Sequence, residues 1–242
     1  MNLGYFMSLL LAATFFIGVW MILFNRSDID PLVWNLMLAW IPLGFACAAH
    51  WVMTTPGPVY GRGLIACIFG AGWLFFYPNT IYILTDFLHL SGLNFHLSEP
   101  EETPAGGYAS TLYAMDNEAW NSFFTIAFSA GIGLAISVIS LYIVHFHIRR
   151  HFSRVSGWLF VVTVQVLCGI GVYLGRFIRF NSWDVMREPL TILAVTFESI
   201  DRFMLYFTGG FTLIGMFSYL FFYSAAHFIK PEQEAAKEKG SL

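Results

Sequence analysis

Six stretches of this chain each run about 20 residues or more with almost no charge. That repetition limits the fold before any motif is considered. A helix rises about 1.5 Å per residue, so about 20 apolar residues cross a hydrocarbon core of roughly 30 Å. Apolar residues make up 57% of the chain and charged residues only 11%, against about 25% charged in a soluble domain. The spans are read as Leu3–Phe24, Leu32–Met53, Gly63–Leu90, Glu118–His147, Gly157–Phe180 and Phe203–Ile229. The expected fold is an all-α integral membrane protein with six transmembrane helices. A single transmembrane domain covers residues 1–230, and a polar cytoplasmic tail follows over 231–242. The first segment has no basic region before it and no small-residue cleavage site after it, so it reads as a retained helix rather than a signal peptide.

The segment Val185–Arg202 is different. Its apolar run, Leu190 to Phe197, is too short to span and has charges on both sides. It predicts one short interfacial or re-entrant helix before the last span. Two prolines fall within spans. Pro78 is expected to kink or break the third near Tyr77–Asn79, and Pro42 to do the same to the second.

Basic residues orient the chain. Arg62, Arg149, Arg150, Arg154, Lys230, Lys237 and Lys239 fall on one side with both termini, and Arg26, Arg176, Arg179, Arg187 and Arg202 on the other. The richer side is expected to be cytoplasmic. Of the 15 acids, all but Glu232, Glu234 and Glu238 then lie outside, a surface that favours cations as visitors. The loop Ser91–Asn117 reads as an acidic outer flap. Cys47, Cys67 and Cys168 fall inside spans and read as apolar thiols.

Two polar sets converge on the outer face. The third span ends in Asn79, Thr80, Tyr82, Asp86 and His89, and the fifth in Arg176, Arg179, Asn181 and Asp184. At helical spacing, Asn79, Tyr82, Asp86 and His89 share one face. Arginine near the membrane needs a carboxylate, so Asp86 is expected to pair with Arg176 or Arg179. Asp86 and His89 could ligate a divalent ion with Asp184 or His96, but two arginines compete for those carboxylates, so no metal is assigned. His145, His147 and His151 cluster at the inner end of the fourth span and read as solvated histidines. The pairs Gly209-Gly210 and Gly131/Gly133 read as close helix packing. No GxSxG, HExxH or P-loop is present. Catalysis is therefore left open, with no cofactor indicated.

At these residues the chain resembles a family. It is similar to the small bacterial multi-pass membrane proteins grouped as a domain of unknown function. The elements that carry the resemblance are Asn35-Leu36-Met37-Leu38-Ala39-Trp40-Ile41-Pro42, Pro78-Asn79-Thr80-Ile81-Tyr82-Ile83-Leu84-Thr85-Asp86 and Leu174-Gly175-Arg176-Phe177-Ile178-Arg179-Phe180-Asn181-Ser182-Trp183-Asp184. It implies a bacterial cell (inner) membrane protein and supplies no mechanism. The long acidic Ser91–Asn117 loop departs from the pattern.

Three functions are compatible with these residues. The first is an outward-facing polar cavity that binds or transports a small solute or ion. The second is a membrane-embedded enzyme acting on a lipid headgroup or lipid-linked substrate. The third is a structural or accessory subunit of a membrane complex. The expected partners are the lipid bilayer, a small solute, cation or lipid headgroup, and a second copy or partner subunit; nucleic acid is not among them.

Overall fold

The computed structural model describes residues 3–24, 29–56, 58–93, 95 and 117–239. It is all helical among these residues. Six helices are long and apolar enough to cross a membrane. They lie in α1 (Leu3–Phe24), α2 (Ile29–Thr54), the broken third span, α5 (Asn117–His151), α6 (Arg154–Tyr173) and α9 (Arg202–Lys239). The third span comprises α3 (Val59–Phe76), α4 (Pro78–Tyr82) and a 3₁₀ segment (Ile83–Gly92). The expected spans all appear, most of them a few residues longer. The last helix runs on through Lys239, past the expected end of the span at Ile229.

The bundle is built around α5. Two-thirds of its apolar window is buried, against 11% for α1 and 17% for α9. The sequence explains this position. The buried face of α5 carries Ser122, Thr125, Ser129, Ser137 and Ser140 among small and branched residues, a composition that gains nothing from facing lipid. The outer helices instead present Phe15, Phe16, Phe217 and Phe221 outward. Gly133 of α5 lets the third span approach closely: a Cβ there would lie 2.4 Å from the Thr80 carbonyl oxygen. Gly131, Gly209 and Gly210 face open space instead. Of the glycines read as packing positions, only Gly133 is one.

The third span breaks at Pro78, as expected. Proline has no amide hydrogen to give the Leu74 carbonyl, and its ring needs room. Gly171 of α6 supplies that room, because a Cβ there would lie 2.6 Å from Pro78. Pro42 behaves differently. α2 stays helical through it, so its missing amide opens the ladder at Leu38 without breaking the helix.

The segment before the last span forms α7 (Asp184–Arg187) and α8 (Pro189–Glu198). At about 15 Å, α8 is too short to cross a bilayer. Ile192 anchors it on Tyr173, Leu174 and Met204, while Leu190, Leu193 and Phe197 stay exposed. This is the shape of a helix lying along the surface of the bundle. Cys47, Cys67 and Cys168 are free thiols, and Cys67 is exposed rather than buried. Residues 96–116, which hold His96 and most of the acidic loop, and the side chains beyond Ala226 lie outside the described residues.

Candidate anion-binding cavity

The site lies where two helices lose regular winding at the same end of the bundle. In the third span, the side chains around the break bond to its carbonyls. Thr80 Oγ1 donates to the Tyr77 carbonyl at 2.8 Å, and Asn79 Nδ2 donates to the Phe76 carbonyl at 3.0 Å. Asn79 Nδ2 also donates to Ser182 Oγ at 2.7 Å, which ties α4 to the loop after α6. In the fifth span, α6 opens into a π-helical turn, Leu174–Ile178. The Leu174 carbonyl closes that turn by accepting from the amides of Arg179 and Phe180. Arg179 itself is left-handed, with φ 67° and ψ 30°. It is the one residue other than glycine with positive φ among those described. Any side chain with a Cβ costs about 1–2 kcal/mol there relative to glycine. Strain of this kind tends to persist where a side chain has a task.

Between these two broken helices lies a cavity of about 560 Å³, within the range of small-ligand sites. Asn79, Tyr82, His89, Arg176, Arg179 and Asn181 line it, with Trp34, Asn35, Ser182 and Trp183. Tyr82 packs its ring on Gly175, where a Cβ would lie 3.2 Å away. Among the described residues, no aspartate or glutamate lines the cavity. Among the described residues, neither arginine pairs with a carboxylate within 4.0 Å.

Three expected site residues are absent from that lining. Thr80 is 1% exposed and packs behind the break. Asp184 is occupied by its own loop, accepting from the Asn181 amide at 2.7 Å. Asp86 is only 2% exposed and borders a separate cavity of about 100 Å³ with His89, Leu32 and Ser122. Its carboxylate accepts from Asn35 Nδ2 at 2.9 Å and lies 3.8 Å from His89 Nε2. The expected pair between Asp86 and Arg176 or Arg179 does not form.

The reason is helical pitch. Residues Ile83–Gly92 wind as 3₁₀ helix, which advances about 120° per residue rather than 100°. From Tyr82 to Asp86, four residues of tighter winding turn the carboxylate about 80° further round. Asp86 then faces α2 and α5, while Tyr82 faces α6. His89, three residues on, eclipses Asp86 and reaches the rim of both cavities.

Sequence reasoning missed Asn35 as the Asp86 partner and Ser182 as the Asn79 partner. The signal for Asn35 was present: an amide one turn inside an apolar helix needs a polar partner. It also misread the opposite end. His145 is not solvated but 1% exposed, with Nδ1 2.5 Å from the Tyr219 hydroxyl. His147 Nε2 lies 2.9 Å from His50 Nδ1, a neighbour on α2 that drew no notice in the sequence. Among the described residues, no three His, Cys, Asp or Glu side chains cluster closely enough to hold a metal ion.

No curated protein and no solved structure matches the chain. One family does, over residues 34–218, a stretch that begins at Trp34 on the cavity wall and contains every residue lining the cavity. The chain belongs to that family, described as "Protein of unknown function (DUF1361)".

Proposed function

We propose that this protein binds a small oxyanion or carboxylate in the cavity between the two broken helices and moves it into the membrane-spanning bundle. The anion would come from solution or be the phosphate of a lipid headgroup. One observation carries the reading: Arg176 and Arg179 line the cavity, and among the described residues neither has a carboxylate within 4.0 Å. Two unpaired guanidinium groups repel each other, and an anion between them relieves that repulsion while accepting charge-assisted hydrogen bonds. The acidic surface favours cations at long range, but a ligand inside the cavity meets the local charge first. Interrupted helices around a binding site suit transport, because their freed backbone groups and bends allow access to alternate. Charge bias in the sequence favours an outward opening.

Trp34 and Trp183 line the cavity, so tryptophan fluorescence reports on it. Titration with inorganic phosphate, and separately with a soluble phosphatidylglycerol, should give a saturable change. Saturation by phosphate alone identifies a free anion; saturation by the lipid alone identifies a headgroup. Replacing either arginine by alanine removes a charged hydrogen bond of about 1.5–3 kcal/mol, or about tenfold or more in affinity. Wild-type titrations by the Arg176→Ala/Arg179→Ala double variant would refute the reading.

A second reading, headgroup chemistry, draws on His89. It lines the cavity with Asp86 3.8 Å behind it, a pair suited to proton transfer beside two phosphate-binding arginines. It predicts lipid turnover that Ala at position 89 abolishes.

A further inference from the structure

The buried face of α5 carries a row of polar side chains set among apolar ones, and the anion cavity does not use it. Ser122, Thr125, Ser129, Ser137, Ser140 and His145 are each 4% exposed or less. Steps of three to five residues, with one of eight between Ser129 and Ser137, keep most of them on one side of the helix. An ionisable group stands at each end. At one end Asp86 shares its small cavity with Ser122. At the other, His145 bonds to Tyr219, and Arg149 donates to Tyr223 on α9.

The geometry points to a proton path along this face of α5, between Asp86 and His145. A lone row of hydroxyls would not suggest it, because serine and threonine in helices often bond only to their own backbone. Thr125 and Ser140 do this here, to the Asn121 and Ser137 carbonyls. The independent observation is a set of buried polar atoms without protein partners: Ser129 Oγ, Gln165 Oε1 and His145 Nε2. All three lie inside spans, where an unsatisfied polar atom is unfavourable unless something polar reaches it. They are spread along the row rather than gathered at one end.

The middle of the row is bridged from other helices. The Thr80 carbonyl sits against Gly133, between Ser129 and Ser137. The Tyr77 hydroxyl lies 2.8 Å from Ser137 Oγ and accepts from Gln165 Nε2 at 3.3 Å. Gln165 Oε1 lies against Gly215, where a Cβ would come within 2.2 Å, and Tyr219 follows one turn later. At the far end His145 Nε2 faces Gly157.

Groups one turn apart on a helix are about 5–6 Å apart. One water making two hydrogen bonds of about 2.8 Å closes such a gap. From Ser129 to Ser137, about 12 Å along the helix, the proton must instead pass along a file of waters, with the Thr80 carbonyl only accepting a hydrogen bond. A hydroxyl both gives and accepts a proton, so each hop is balanced. Asp86 releases its proton to water. Each water passes one proton to the next hydroxyl oxygen, and that hydroxyl releases its own. His145 takes up the last and yields it to solvent beside Arg149. Nothing is oxidised or reduced. The groups that set proton affinity at the ends are Asn35, His89 and Arg176 around Asp86, and Arg149, Tyr219, Tyr223 and Trp158 around His145.

The test uses the full-length protein in vesicles that trap a pH-sensitive dye, with a potassium diffusion potential as driving force. Wild-type protein should pass protons faster than protein-free vesicles. Asp86→Asn, His145→Gln and Ser129→Ala should each slow the flux about tenfold or more, the scale at which positioned proton-transfer groups act. The Arg179→Ala variant, which removes the cavity arginine that is not among the groups around Asp86, should keep it, and this separates the path from the anion cavity. Variants are compared only if they elute as single species, and Ser129→Ala decides if Asp86→Asn does not. Wild-type flux no greater than that of empty vesicles overturns the proposal, as does full flux in both Ser129→Ala and His145→Gln. Loss of flux in the arginine variant alone also overturns it, since the path would then run elsewhere.

Discussion

At the scale of single residues, the partner of each polar side chain decides what that side chain can do. Asp86 is held by Asn35 across 51 residues of sequence. Removing that donor leaves a buried carboxylate short of a hydrogen bond, which costs about 1–3 kcal/mol. Asn35→Leu should therefore lower the melting temperature by several degrees, at about 2–4 °C per kcal/mol for a chain of this size. Asp86→Asn keeps an acceptor for Asn35 and should lie much closer to wild type. Equal losses in a thermal melt would count against Asn35 as the partner. Arg179 gives a complementary case. Its left-handed backbone suits glycine, so Arg179→Gly should hold or raise the melting temperature by relieving about 1 kcal/mol of strain. The same variant should lose phosphate binding in the fluorescence titration. A variant that is less stable yet still binds phosphate normally would contradict both roles given to this residue.

At the scale of helices, the third span shows what sequence patterns reveal and what they hide. The break at Pro78 was legible because proline removes an amide and crowds the preceding turn wherever it sits. The continuity of α2 through Pro42 was not, because neighbouring helices decide whether a freed carbonyl ends a helix or is tolerated. The polar stripe from Asn79 to His89 was drawn at α-helical pitch. The 3₁₀ winding of Ile83–Gly92 moved Asp86 off it, and local sequence does not announce 3₁₀ pitch. The unpaired arginines followed from that one change. Glycines in α5 offer a direct check on packing. Gly133→Ala places a Cβ 2.4 Å from the Thr80 carbonyl and should destabilise by about 1–3 kcal/mol. Gly131→Ala, facing open space, should be neutral or stabilise by up to about 1 kcal/mol. Melts of the two variants side by side test the contact, and similar values would show that α5 and the third span are not so close.

At the scale of the whole molecule, six spans make the most legible feature, because hydropathy reports contact with lipid directly. Six is an even number, so both termini are expected on one side and Ser182 on the other. In a chain lacking Cys47, Cys67 and Cys168, a cysteine at position 182 should react with a membrane-impermeant reagent from the side opposite both termini. Labelling from the same side would require a different number of crossings. What the bundle is for was less legible. Charge counted over whole loops favoured cations, whereas among the described residues the cavity is lined by arginines and no acids. Long-range composition and local geometry disagree here, and a bound ligand meets the local geometry.

The most direct test of the anion cavity is native mass spectrometry on protein released gently from its own membrane. Wild-type protein should carry a stoichiometric adduct whose mass is that of an oxyanion, a carboxylate or an anionic lipid, absent from Arg176→Ala/Arg179→Ala. A bare mass for the wild-type chain, or an adduct that survives in the double variant, would contradict it.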